Sequence, residues 1–109
     1  MLLAFSVAPS GQPSGGSPSS NAEGSVHEAV AEAVKIVRES GLPHQTDSMF
    51  TTIEGEWDEV FDVVKRATEA VGKYGSRVSL VIKADIRPGY SGELTGKVER
   101  LEKAIAQAE

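Results

Sequence analysis

The sequence predicts an α+β sandwich, an antiparallel four-stranded sheet with helices against one face. Three observations predict it. Strand-like and helix-like apolar periods follow in the order strand, helix, strand, strand, helix, strand, with one more helix at the end. A chain of 109 residues suits one domain with a single core. Residues 77–86 alternate cleanly, with Val78, Leu80, Ile82, Ala84 and Ile86 set against Ser79, Val81, Lys83 and Asp85.

The first strand is residues 2–8, an apolar run stopped by Pro9. A secretory leader is the competing reading of that run, but it lacks a basic start and is short. Residues 10–24 are Pro-, Gly- and Ser-rich with nothing to bury, which reads as a flexible loop or as a lid over a site. Ser25 opens the first helix, with Glu28 completing a capping box. Val26, Ala29, Val30, Ala33, Val34 and Val37 form its apolar stripe, and Gly41 and Pro43 end it.

Residues 44–49 and 50–55 read as two short strands joined by a tight connection near Met49. The second helix carries Trp57, Val60, Phe61, Val64, Ala67 and Val71 on one side and ends at Gly75, with Gly72 fraying its last turn. After the strand at 77–86, Arg87-Pro88-Gly89 breaks the chain. Leu94, Val98, Leu101 and Ile105 then recur at four, three and four, marking a last amphipathic helix.

The first six elements make the split βαβ pattern of the ferredoxin-like βαββαβ sandwich, here with an extra C-terminal helix. In that fold the helices cover one sheet face. If Leu3, Phe5, Val7 and Leu80 are core, the bare face carries Leu2, Ala4 and Val81, and apolar residues there favour self-association into dimers or tetramers. Alternation adds Ser6, Ser79, Lys83 and Asp85 to that face, and Thr52 and Glu54 if Ile53 is core. Thr46 and Ser48 are expected there too. A floor of hydroxyls and carboxylates suits a small polar or cationic heterocycle.

Several chemistries are disfavoured. The net charge is −5 and no basic block exists, so nucleic acid is not expected as a partner. No segment approaches the ~20 apolar residues of a membrane span. There is no cysteine, which removes disulfides, thiol catalysis and thiolate metal sites and is compatible with a cytoplasmic location. His27 and His44 are isolated, so neither a metal site nor a catalytic dyad is expected. Phosphate and dinucleotide loops are absent, and no cofactor is expected. Glu54 and Asp85 could do acid–base work or simply pair with Lys83 or Arg87. No nucleophile stands beside them. Trp57 reads either as core or as a ring that stacks on a ligand.

One stretch goes further than composition. Thr46-Asp47-Ser48-Met49-Phe50-Thr51-Thr52-Ile53-Glu54-Gly55-Glu56, followed by a Trp-Asp-Glu-Val helix start, resembles the signature of the thiamine-binding protein family. Phe5-Ser6-Val7-Ala8-Pro9, Ser25-Val26 and Arg87-Pro88-Gly89-Tyr90 add to the resemblance, which spans nearly all the chain outside residues 10–24. It implies a ferredoxin-like sandwich, assembly into dimers and tetramers through sheet faces, and non-catalytic binding of thiamine or its hydroxymethylpyrimidine moiety. The pocket residues it implies are Ser6, Thr46, Met49, Thr52 and Glu54. Glu54 would meet the aminopyrimidine or the thiazolium charge, the hydroxyls would orient the ring, and Met49 would form an adaptable wall. An assembly module with no ligand of its own, or an enzyme acting on a heterocycle through Glu54 and Asp85, are the competing functions.

Overall fold

The computed structural model describes residues 1–11 and 22–108, with the side chains of 22–25 left aside. The elements are β1 (Leu2–Ser10), α1 (Ala22–Glu39), β2 (His44–Thr46), β3 (Thr51–Glu54), α2 (Trp57–Val71), a 3₁₀ turn (Gly72–Tyr74), β4 (Arg77–Asp85) and α3 (Glu93–Ala108). The sheet is antiparallel in the order β2-β3-β1-β4, the ferredoxin-like arrangement expected. The expected loop over 10–24 is shorter at both ends, and residues 12–21 lie outside the described part of the chain.

The core lies between the sheet and two helices. Leu3, Phe5 and Val7 of β1 and Ile53 of β3 pack against Ala29, Ala33 and Val37 of α1 and Val60, Val63, Val64, Ala67 and Val71 of α2. Alternation along β1 therefore has the expected phase. The strand continues through Pro9, which was expected to stop it. Beyond Phe5, β1 has no partner on the β3 side, and a residue without an N–H is tolerated along such an edge.

Three further expectations are corrected. Helix α1 starts at Ala22, so Ser25 lies inside it rather than capping it. Trp57 is not core. It is 54% exposed and stacks on Phe61 with ring centroids 5.3 Å apart. The start of α2 is instead organised by Glu59, whose carboxylate accepts the Glu56 N–H at 2.9 Å. Finally, the apolar face of β4 is not core. Val78 is partly buried, but Leu80 and Ile82 are each 38% exposed, because β4 is the outer strand and α1 and α2 sit over its neighbours.

Helix α1 ends as expected before Gly41, whose φ of +79° is the left-handed conformation glycine adopts freely. Helix α2 passes into the 3₁₀ turn at Gly72. Gly75 then permits close contact with the end of β1, since a Cβ there would come within 2.4 Å of the Ser10 carbonyl oxygen. No helix among the described residues is long and apolar enough to cross a membrane.

Candidate functional site at the β2–β3 hairpin

The hairpin forms because Asp47 makes its own turn. The Asp47 carboxylate accepts the backbone N–H groups of Met49 (2.8 Å) and Phe50 (2.9 Å), while the Asp47 N–H donates to the Phe50 carbonyl (2.9 Å). An aspartate that bonds the backbone two and three residues on replaces the Asn-Gly signal that short hairpins usually carry. The tight connection expected near Met49 is thus present. The same two N–H groups, Phe50 first and Met49 second, hold the Asp47 carboxyl below its usual range.

β3 is only four residues long and leaves β1 at Phe5. Past that point the hairpin stands beside β1 without pairing to it, and a cavity of about 190 Å³ opens between them. It is lined by Ser6, Val7 and Ala8 of β1, by Val30, Ala33 and Val34 of α1, and by the hairpin from Thr46 to Thr51. β1 contributes residues of both its faces because no strand flanks it on the β3 side there.

Of the residues expected to form the pocket, Ser6, Thr46 and Met49 meet at this cavity. Thr46 arrives by a different route from the one expected. It pairs with Thr51, which pairs with Phe5, so it belongs to the helix side of the sheet rather than the bare side. Its hydroxyl lies 3.2 Å from that of Thr51, which is buried. Ser48 sits in the turn. Met49 is 71% exposed at the hairpin tip, where its flexible side chain forms a movable rim.

Thr52 and Glu54 lie on the bare face as expected, opposite Ala4 and Leu2. That places them away from the cavity. Glu54 is 8% exposed and pairs with neither Lys83 nor Arg87. Its carboxylate accepts the backbone N–H groups of Glu93 (2.9 Å) and Leu94 (3.3 Å), which caps the start of α3. Asp85 stands opposite Leu2 on the same face and is bonded by Lys97 at 2.6 Å, which lowers its pKa. Both carboxylates thus have partners within the chain, and they lie in one row of the sheet with Leu2 between them.

Asp47 is the cavity residue that reasoning from strand alternation missed. Its signal was local, an acid two residues before Met49 at a strand end. A second, smaller hollow of about 170 Å³ lies at the opposite end of β1, between Met1, Glu56, Trp57, Ile86 and the Arg87–Tyr90 turn. There the Arg87 guanidinium sits 3.6 Å over the Tyr90 ring. His27 is exposed on α1, and His44 Nδ1 lies 2.9 Å from the Leu42 carbonyl. Among the described residues, no three His, Cys, Asp or Glu side chains gather as a metal site would need.

Comparison with known proteins agrees with the fold and adds a family. A UPF0045 protein of Mycobacterium bovis is 48% identical over 110 residues, covering all of this chain and 98% of that one. The solved structure of a domain of unknown function from Bacillus cereus is 32% identical with a TM-score of 0.66, covering 85% of this chain and 83% of that one. A Thermotoga maritima protein suggested to act in thiamine biosynthesis or salvage has a TM-score of 0.68 at 21% identity, over 90% and 96% of the two chains, which is a likeness of fold. The family model described as thiamine-binding protein matches residues 3–102, and the chain belongs to that family.

Proposed function

We propose that this protein binds thiamine or a hydroxymethylpyrimidine-type ligand, without catalysis, in the cavity beneath the β2–β3 hairpin. The observation that carries this reading is the Asp47 carboxylate, held ionised by two backbone N–H groups on the rim of a cavity that also gathers Ser6, Thr46 and Met49. Family membership supports the ligand class. The cavity is smaller than the ~300–1,000 Å³ of pockets that enclose drug-sized molecules. It suits one substituted ring rather than a whole two-ring ligand, with the thiazolium of thiamine left at the rim near Asp47. The hydroxyls of Ser6 and Thr46 would orient the ring, and Val30 and Val34 would cover its face. Thr52 and Glu54 act in this reading from the bare face, Glu54 by holding α3 in place. The reading includes self-association into dimers or tetramers, supported by the apolar residues left exposed on β4 and α3.

Titration calorimetry with thiamine and with hydroxymethylpyrimidine tests it. Binding of at least one is expected, and no heat from either at millimolar concentration would sink it. Asp47→Asn keeps an oxygen that accepts the same two N–H groups, so the hairpin persists while the charge goes. Thiamine should then bind about fivefold more weakly, with the uncharged pyrimidine hardly affected. Because the folded-state pKa of Asp47 is lowered, the loss of thiamine affinity as pH falls should set in at a lower pH than an unperturbed aspartate would give.

A further inference from the structure

The charges around the hairpin cavity are of one sign. Among the described residues that line it, Asp47 alone is ionisable. The imbalance extends beyond the lining. Of the 11 lysines and arginines, two precede residue 65, Lys35 and Arg38, while ten aspartates and glutamates stand in the same stretch. That stretch holds β1, α1 and the hairpin, the elements that form the cavity. Lys35 is exposed and pairs with Glu39 on the same helix at 4.0 Å. Arg38 is exposed in the last turn of α1, beyond the lining residue Val34. Residues 12–21 hold no charged side chain, so that part of the chain has no cation to bring to the site.

The backbone donors of the turn are taken as well. Successive N–H groups in a turn are a common receptor for phosphate. Here the Met49 and Phe50 N–H groups both donate to the Asp47 carboxylate, so a built-in anion fills the position that a phosphate would take. A bound metal ion could offset the charge of a diphosphate, but such ions need several carboxylate or carbonyl ligands. Among the described residues no three His, Cys, Asp or Glu side chains gather to hold one. The hydroxyls of Ser6, Thr46 and Thr51 are neutral, and α1 presents only hydrocarbon to the cavity. A phosphate brought here meets a like charge and no counter-charge, the combination that drives phosphoryl groups away.

We propose that the cavity selects the free alcohol of its ligand over the phosphate esters, with Asp47 as the discriminating residue. The inference rests on the ligand class proposed above. Thiamine and hydroxymethylpyrimidine each carry a primary hydroxyl, and phosphorylation there replaces a neutral group by about two negative charges. For hydroxymethylpyrimidine that charge would enter a cavity walled by hydrocarbon and neutral hydroxyls. For thiamine it would lie at the rim beside Asp47 and offset the attraction between Asp47 and the thiazolium. The protein thus holds its ligand in the form that precedes phosphoryl transfer, and not the diphosphate made from it.

Titration calorimetry with thiamine, its monophosphate and its diphosphate tests it. In low salt, thiamine should bind about tenfold more tightly than the diphosphate, with the monophosphate between them. In about 1 M salt, where the screening length is about 3 Å, the ratio should fall to about two. Asp47→Asn should narrow it from both sides, weakening thiamine and strengthening the diphosphate. Ser48→Lys places a cation on the exposed turn at the cavity and should favour the diphosphate, with circular dichroism confirming that both variants fold. Equal affinity of the native protein for thiamine and the diphosphate, with or without magnesium, would overturn the exclusion and leave the thiamine reading standing. A ratio unmoved by salt and by Asp47→Asn would assign the exclusion to shape and overturn the role of Asp47. No binding of thiamine or hydroxymethylpyrimidine would remove the thiamine reading and this inference with it.

Discussion

Helices α2 and α3 are nearly matched in length, at 15 and 16 residues, and each carries a continuous apolar stripe. Their surroundings differ. α2 buries Val60, Val63, Val64, Ala67 and Val71 against the sheet and α1, whereas α3 leaves Val98, Leu101 and Ile105 about half exposed. α2 is placed by the crossover from β3 to β4, which lays it over β1. α3 follows the last strand, and its start is pinned to the other side of the sheet by Glu54. An amphipathic stripe establishes that a helix has a partner. Whether that partner lies in the same chain depends on where the preceding element releases the helix.

The contrast can be broken most sharply in α2. Val60→Ala removes two methyl groups from a fully buried site and should cost about 2 kcal/mol. Thermal unfolding of dilute protein would register this as a drop of several degrees, and an unchanged midpoint would mean that α2 is not the better-packed helix. A smaller effect is expected at the root of α3. Glu54→Ala removes the acceptor for two N–H groups and should cost about 1 kcal/mol, read as faster hydrogen exchange at Glu93 and Leu94. Protection that stayed unchanged would show that the cap does not set the direction of α3. The smallest effect belongs to the apolar stripe of α3. Leu101→Ser should change the stability of the dilute chain by less than about 0.5 kcal/mol, yet raise the concentration needed for assembly. A stability loss matching Val60→Ala would place the stripe in a core of its own chain.

The parity of β1 and β3 was legible in the sequence because Leu3, Phe5, Val7 and Ile53 alternate with polar or small residues over enough length to fix a phase. That phase correctly placed Thr52, Glu54 and Asp85 on the bare face. Thr46 was not legible in the same way. β2 is three residues long, too short to show a period, and its phase is set by the Asp47 turn that pairs Thr46 with Thr51. The partner of Glu54 was hidden for another reason. The N–H groups it accepts are 39 and 40 residues away, and they carry no side-chain signature. Trp57 misled because its position at helical spacing with Val60 and Phe61 says nothing of how far the sheet extends beneath the first turn.

By itself the sequence determined the order of elements, the faces of the longer strands, the stripes of the helices and the family signature running from Thr46 to Glu56. All are local, since period and turn chemistry are carried by neighbouring residues. Only the tertiary structure decided that β3 ends early enough to open a cavity beside β1, and that Asp47 stands on its rim. It also decided that Glu54 serves α3 and that the stripe of α3 stays exposed. These depend on which segments far apart in the chain come to lie side by side, and that follows from the packing of the whole core rather than from any one segment.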